Sequence, residues 1–266
     1  MRASSNFADK AVRGLVAVAA VSAMFWATMV TPTLWRERAT TEVAAAIFEG
    51  QPFRRSTLIA IDRQWGDEGQ LRAVMLRNLA AIRLRLAEDA LRAGDIGGID
   101  AALESAVRMN DAALAKNPSD PFLWLSRFWL TNTRSGFSNA HLSYLRMSYA
   151  LGPHEGWIQE RRSRFALASY RDLPADLAEA AVAEFVDMVR SDLLDKATEI
   201  AVGPGAPLRG ILFPRLKDVS EEQRRRFAAR IYKEGFDDVP IPGIAPPKPE
   251  FPEPVLPPGT GECLAC

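Results

Sequence analysis

Cysteine and histidine are scarce in this chain, with two of each in 266 residues. Both cysteines, Cys263 and Cys266, stand at the extreme C-terminus. A disulfide there cannot brace a core, so stability has to come from apolar burial. His141 and His154 have no cysteine or acidic cluster at ligand spacing, which excludes a four-ligand structural metal site built on them. Excess charge is missing too: 33 Lys+Arg balance 33 Asp+Glu. Phosphate binding needs a basic surplus, so nucleic acid is excluded as the main partner. The glycines of GPGAPLRG (203–210) are interrupted by Pro204 and Pro207 and follow no strand, so they cannot cradle a phosphate. No serine sits in a nucleophile-elbow context. Glu155 and Glu160 are placed to cap and solvate a helix rather than to act as an acid–base pair. Nothing points to an enzyme or to a cofactor.

What is present begins at the N-terminus. Residues 14–35, GLVAVAAVSAMFWATMVTPTLW, carry no charge. About 20 apolar residues cross a bilayer core as a helix. Trp26 lies inside the run; Trp35 closes it, where an indole suits the headgroup interface. Pro32 sits near the end of the run, where a helix break costs least. The rival is a cleavable signal, whose apolar stretch is shorter and ends in small residues such as Val21-Ser22-Ala23. Arg2, Lys10 and Arg13 precede the run; Arg36 and Arg38 follow it. The basic bias places 1–13 in the cytoplasm and 14–35 as a signal-anchor. The expectation is a single-pass protein of a bacterial inner membrane with its bulk in the periplasm.

From Glu42 to about Phe236 the pattern is amphipathic helix broken by Gly or Pro. Helices are expected over 41–49, 53–65, 70–93, 97–116, 121–133, 137–151, 155–171 and 174–202. In 70–93, Leu71, Met75, Leu79, Ile82 and Leu86 recur at steps of three and four. In 174–202, Leu177, Ala181, Phe185, Met188 and Val189 do the same. SEEQRRRF (220–227) has the Ser220–Gln223 spacing of a capping box and opens a further helix. Residues 237–266 are dense in proline and are expected to form a disordered, extended tail that packs on nothing.

Two turns repeat. KNPSDPFLWLSRFWL (116–130) and LGPHEGWIQERRSRF (151–165) each run turn, proline, acidic residue, aromatic, helix, and Pro118 and Pro153 are 35 positions apart. That is close to the period of about 34 of a tetratricopeptide unit. With the ALAKNPSDP turn (113–121), this stretch resembles the tetratricopeptide family over roughly 70–202, within a helical-repeat domain of 36–236. The family's helix A signature of Trp-Leu-Gly-Tyr is missing, so the likeness is to the architecture. It implies an all-α, right-handed solenoid of about three to four hairpins whose concave face binds peptides or proteins. The pairing of NPxDPFxW with GPHEGWIQERR behind an anchor is also similar to accessory proteins of bacterial exopolysaccharide and O-antigen clusters. That likeness implies partners in the inner membrane or periplasm, including polysaccharide assembly machinery.

Arg161 falls in the middle of the stripe formed by Trp157, Ile158, Phe165 and Ala168. It is either ion-paired against a neighbouring helix or the anchor of an anionic group in a groove, while Arg162 and Arg164 are expected to be solvated. Trp157, Trp124 and Arg127 join Arg161 as candidates for that groove, where rings either stack on sugar or fill an inter-helix core. Cys263-Leu-Ala-Cys266 lacks the following helix of a redox pair and the further ligands of a metal site, so a simple disulfide is the expectation in an oxidising compartment.

Overall fold

The structure is a computed structural model that describes residues 3–65, 71–236 and 239–246. Its helices are α1 (Ala3–Phe48), α2 (Arg55–Asp62), α3 (Ala73–Ala93), α4 (Ile96–Lys116), α5 (Pro121–Ser135), α6 (Leu142–Leu151), α7 (Gly156–Ala168), α8 (Ala175–Arg190), α9 (Leu194–Val202), α10 (Arg209–Leu212) and α11 (Glu221–Lys233). Among the described residues there is no strand, only an isolated bridge between Ile241 and Ile244.

Helix α1 departs from expectation. It runs 46 residues without interruption, through Pro32. Proline removes one backbone donor, but stopping the helix would strip partners from several carbonyls and amides. Continuing the helix forfeits that single bond and keeps the rest. Thr28 and Thr31 add hydroxyl bonds to the carbonyls of Phe25 and Ala27, at 2.8 and 2.6 Å. Arg13–Thr31 is long and apolar enough to cross a membrane, and none of it is buried.

The other end of α1 belongs to the core. Thr40, Ala44 and Ile47, at steps of four and three, are buried. The Trp65 indole donates to Thr40 Oγ1 at 2.9 Å, Asn78 donates to Thr41 Oγ1 at 3.1 Å, and Arg72 pairs with Glu37. One helix is therefore free at its start and packed at its finish.

Short turns then fold α3 on α4, α5 on α6 and α7 on α8. The first closes on Gly94 at φ 63°, with Asp95 N–H bonded to Ala90 O at 3.2 Å, the left-handed cap that glycine takes without a Cβ clash. Asp95 then caps α4 by accepting from Gly98 N at 3.2 Å. Asp120 caps α5 through Phe122 N at 2.9 Å, with Pro121 in the first turn. The open end of the α5–α6 hairpin is tightly packed: a Cβ added at Gly152, which ends α6, would lie 2.7 Å from Cγ of Pro121, which opens α5. The odd-numbered helices also touch in series, α1 on α3, then α5, α7, α9 and α11. They form one layer, and the even-numbered helices of the hairpins lie behind it.

The expected helix 174–202 is two helices. Asp192 adopts φ 64°, and Leu193 N–H reaches back to Met188 O at 2.9 Å, which ends α8 and re-aims α9. No glycine or proline marks this break; aspartate is one of the few residues that tolerates the left-handed region. The tail also differs from expectation. Ile241 is 1% exposed, and Arg224 donates to Val219 O at 3.1 Å and to Pro242 O, so 239–246 packs against α11. Helix α11 is capped by Ser220, which accepts from Gln223 N at 3.3 Å. Phe227 meets Phe185 and Phe213 edge-on at 5.9 and 5.7 Å, closing the array at its C-terminal end.

Candidate functional site

Because the odd-numbered helices share a layer, their exposed side chains converge. A groove of about 540 Å³ is lined from five of them: Ile47 and Phe48 of α1, Arg85, Glu88, Leu91 and Arg92 of α3, Trp129 of α5, Trp157, Glu160, Arg161, Arg164 and Phe165 of α7, and Lys196 and Glu199 of α9. No even-numbered helix contributes. The volume is within the range of pockets that hold small ligands or a short segment of a partner.

The groove carries both signs of charge, and its acids Glu88 and Glu160 are each shared by two cations. Glu88 accepts from Arg161 at 2.7 Å and from Arg92 at 3.4 Å. Asp89, beneath, takes Arg85 at 3.1 Å and Arg92 at 2.6 Å. Glu160 holds Lys196 at 3.0 Å and Arg164 at 3.4 Å, and Arg164 also lies 3.6 Å from Glu199. Four guanidinium groups carry five N–H donors each, more than these carboxylates engage. Between them, Trp129 and Phe165 rings lie 6.4 Å apart.

The floor at one end is a cation among aromatics. The Arg77 guanidinium lies 4.5 Å from the Phe48 ring centroid, 4.9 Å from that of Trp157 and 5.8 Å from that of Phe122. Its Nε bonds Asp120 at 2.6 Å. Phe48 meets Phe122 and Trp157 edge-on at 4.9 and 5.1 Å. The last turn of α1 is thus clamped at the mouth of the groove.

Of the four groove candidates, the structure brings Arg161 and Trp157 together. Arg161 is both paired to a neighbouring helix and placed at the groove, with its side chain 22% exposed. Trp157 is half-buried and donates to Glu155. Trp124 and Arg127 lie elsewhere. Trp124 stacks on Tyr144 at 6.1 Å and donates to Pro118 O at 2.7 Å; Arg127 pairs with Asp111 and sits 5.8 Å from the Tyr144 ring. They occupy the side of α5 that faces α4 and α6. Trp129, five residues on from Trp124, is the α5 indole that reaches the groove.

Arg162 overturns its expectation of solvation. Its side chain is 0% exposed and paired to Glu184, with Nε at 2.8 Å. It also donates to Ser148 O at 2.7 Å and Gly152 O at 2.8 Å and lies 4.2 Å from the Tyr149 ring. Ser163 and Tyr149 bond the other Glu184 oxygen at 3.0 and 3.3 Å. Burial pushes the Glu184 carboxyl up from its ordinary range, against the opposing pull of Arg162. Burial, reinforced by the Glu184 charge, pushes the Tyr149 phenol well up. This network ties α6, α7 and α8 together and opens onto no cavity among those found.

His141 Nδ1 is 2.8 Å from Asn132 Oδ1, and the exposed His154 lies 3.2 Å from Asp187. No group of three metal-ligating side chains occurs among the described residues. Cys263 and Cys266 lie outside the described residues. Comparisons with protein-family models, with curated proteins and with solved structures return no match for this chain.

Proposed function

We propose that this chain is a single-pass, membrane-anchored adaptor of the bacterial cell envelope. Helix α1 spans the inner membrane and stands as a stalk in the periplasm. The array it carries is a tetratricopeptide-like solenoid, and the groove on its odd-numbered layer docks a segment of another envelope protein. The turns at 116–130 and 151–165 connect the process to exopolysaccharide or O-antigen assembly. The observation that carries this reading is the continuity of α1, exposed and apolar at its start and clamped by Phe48 at the groove.

Distance narrows the class of partner. Phe48 is 13 residues beyond Trp35, or about 20 Å along a helix rising about 1.5 Å per residue. A typical tilt of about 20° shortens that by less than a tenth. The headgroup layer is only about 5–7 Å deep on each side. The groove therefore stands clear of the lipids and is within reach of a soluble or extramembrane segment.

A second reading, an anion- or carbohydrate-binding module, is favoured by one detail: the Trp129 and Phe165 rings lie beside Arg161 in the same groove. Photo-cross-linking in intact membranes separates the two. A photoreactive residue at Glu199 in the groove should give a defined protein adduct, lost in Arg161→Ala, whereas one at Arg108 on α4 should give none. A folded, membrane-retained chain that cross-links to no protein from Glu199, but binds acidic oligosaccharide, favours the second. A reporter fused after Glu262 tests the periplasmic orientation.

A further inference from the structure

We infer that the end of the array where α3 begins rests on the bilayer surface and binds anionic lipid headgroups. This rests on the reading of α1 as a membrane span. Trp35, 74% exposed, closes the apolar run. Glu37 is two residues on, about 3 Å further along the axis. Arg72, the residue that precedes α3, pairs with Glu37. Six residues further on, Asn78 bonds Thr41 at 3.1 Å, so α3 leaves this point in the same direction as α1. A headgroup layer about 5–7 Å deep therefore encloses Arg72 and the first turn of α3.

The groups presented there suit that layer. Val74 is 64% exposed, an apolar side chain with no cover in the fold. The Arg72 and Arg38 side chains are 71% and 79% exposed. Lys116 is exposed beside them, its Nζ donating to Leu71 O at 2.8 Å. Arg38, Arg72 and Lys116 are three basic residues here against two acids, Glu37 and Glu42. Asp120 is buried and turned toward Arg77. An apolar residue set among surplus cations fits an anionic interface better than water, where Val74 and Trp35 have nothing to bury against.

The test uses the full chain in lipid nanodiscs, with Cys263→Ser and Cys266→Ser and a fluorophore on Val74→Cys. A matching label on Ile211→Cys, at the far end of the array, is the control. Headgroup spin-labelled lipid should quench the label at 74 and leave the one at 211 bright. Quenching should be stronger in phosphatidylglycerol than in phosphatidylcholine discs. Each unit of positive charge near an anionic surface strengthens association by about five-fold, so Arg72→Glu and Arg38→Glu, each a change of two charges, should each weaken it by roughly 25-fold. Arg38 is 79% exposed and its ion pair is with Glu42 on the same helix, so its substitution should leave the fold intact. A label at 74 as bright as that at 211, in a chain that stays in the disc, overturns the inference. Quenching indifferent to lipid charge and to Arg38→Glu does the same. A chain extracted by carbonate instead overturns the span itself.

Discussion

Adjacent arginines on α7 should behave as opposites when removed. Arg162→Met takes a fully buried guanidinium from Glu184, which is itself buried among α6, α7 and α8. Stranding one member of such a pair costs roughly 3–5 kcal/mol. The carbonyls of Ser148 and Gly152 lose their donor as well, so about 4 kcal/mol is a conservative expectation. For a domain of this size a kilocalorie moves Tm by about 2–4 °C, and the transition should fall by about 8–16 °C. Arg161→Ala removes a partly exposed pair whose acid, Glu88, keeps Arg92. It should cost about 1 kcal/mol or less while abolishing the groove cross-link. The assay is circular-dichroism melting of both variants in the same detergent, with Arg162→Met/Glu184→Leu as a third. The double variant should recover part of the loss, because no charge is left unpaired. Equal melting of the two single variants, or a double variant no better than Arg162→Met, would refute the assignment of one arginine to structure and the other to the groove.

Three more outcomes are expected. Phe48→Ala deletes two edge-on ring contacts and one cation–π contact, worth about 0.5–1.5 and 0.5–1 kcal/mol apiece. Hydrogen exchange at 44–50 should rise roughly 30-fold while exchange in α8 stays unchanged. Asp192→Val places a β-branched residue at φ 64° and should destabilise by about 1–3 kcal/mol in urea titration, whereas Asp192→Gly should sit near wild type. The Arg230 hydrogen bond, then its charge, then that of Lys196 hold the Asp195 carboxyl below its ordinary range. Because the folded value is the lower one, this contact contributes above the unfolded pKa of about 3.9 and is lost as pH falls through the folded value. NMR titration of Arg230→Gln should show the Asp195 midpoint returning upward.

What could be read in advance follows from what periodicity encodes. The stripes of α3 and α8 and the cap at Ser220 were legible because each is local, a repeat of 3.6 or a fixed offset from a helix start. The break at Asp192 was not, since its left-handed turn uses a residue equally at home within a helix or at its cap. Nor was the packing of Ile241, because a proline-rich segment has no period to display its buried side. Nor was the joining of the apolar run 14–35 to 41–49 in one helix, since Pro32 and the charged residues between the two read locally as a break. The site shows the limit most sharply. Consecutive residues on a helix differ by about 100° in direction, so Arg161 and Arg162 cannot both face the groove. The stripe of Trp157, Arg161 and Phe165 does place Arg161 there. It cannot say that the other side of the same helix is also covered, because that cover is α8, and Glu184 lies 22 residues downstream of Arg162. A helical wheel sees one element, whereas burying a charge takes two. The missing signal was on the partner: Glu184 stands among Ala181, Phe185 and Met188, a carboxylate within an apolar stripe. A lone acid and a lone base on the facing stripes of successive helices satisfy each other, and that pairing buries Arg162 while its neighbour Arg161 lines the groove.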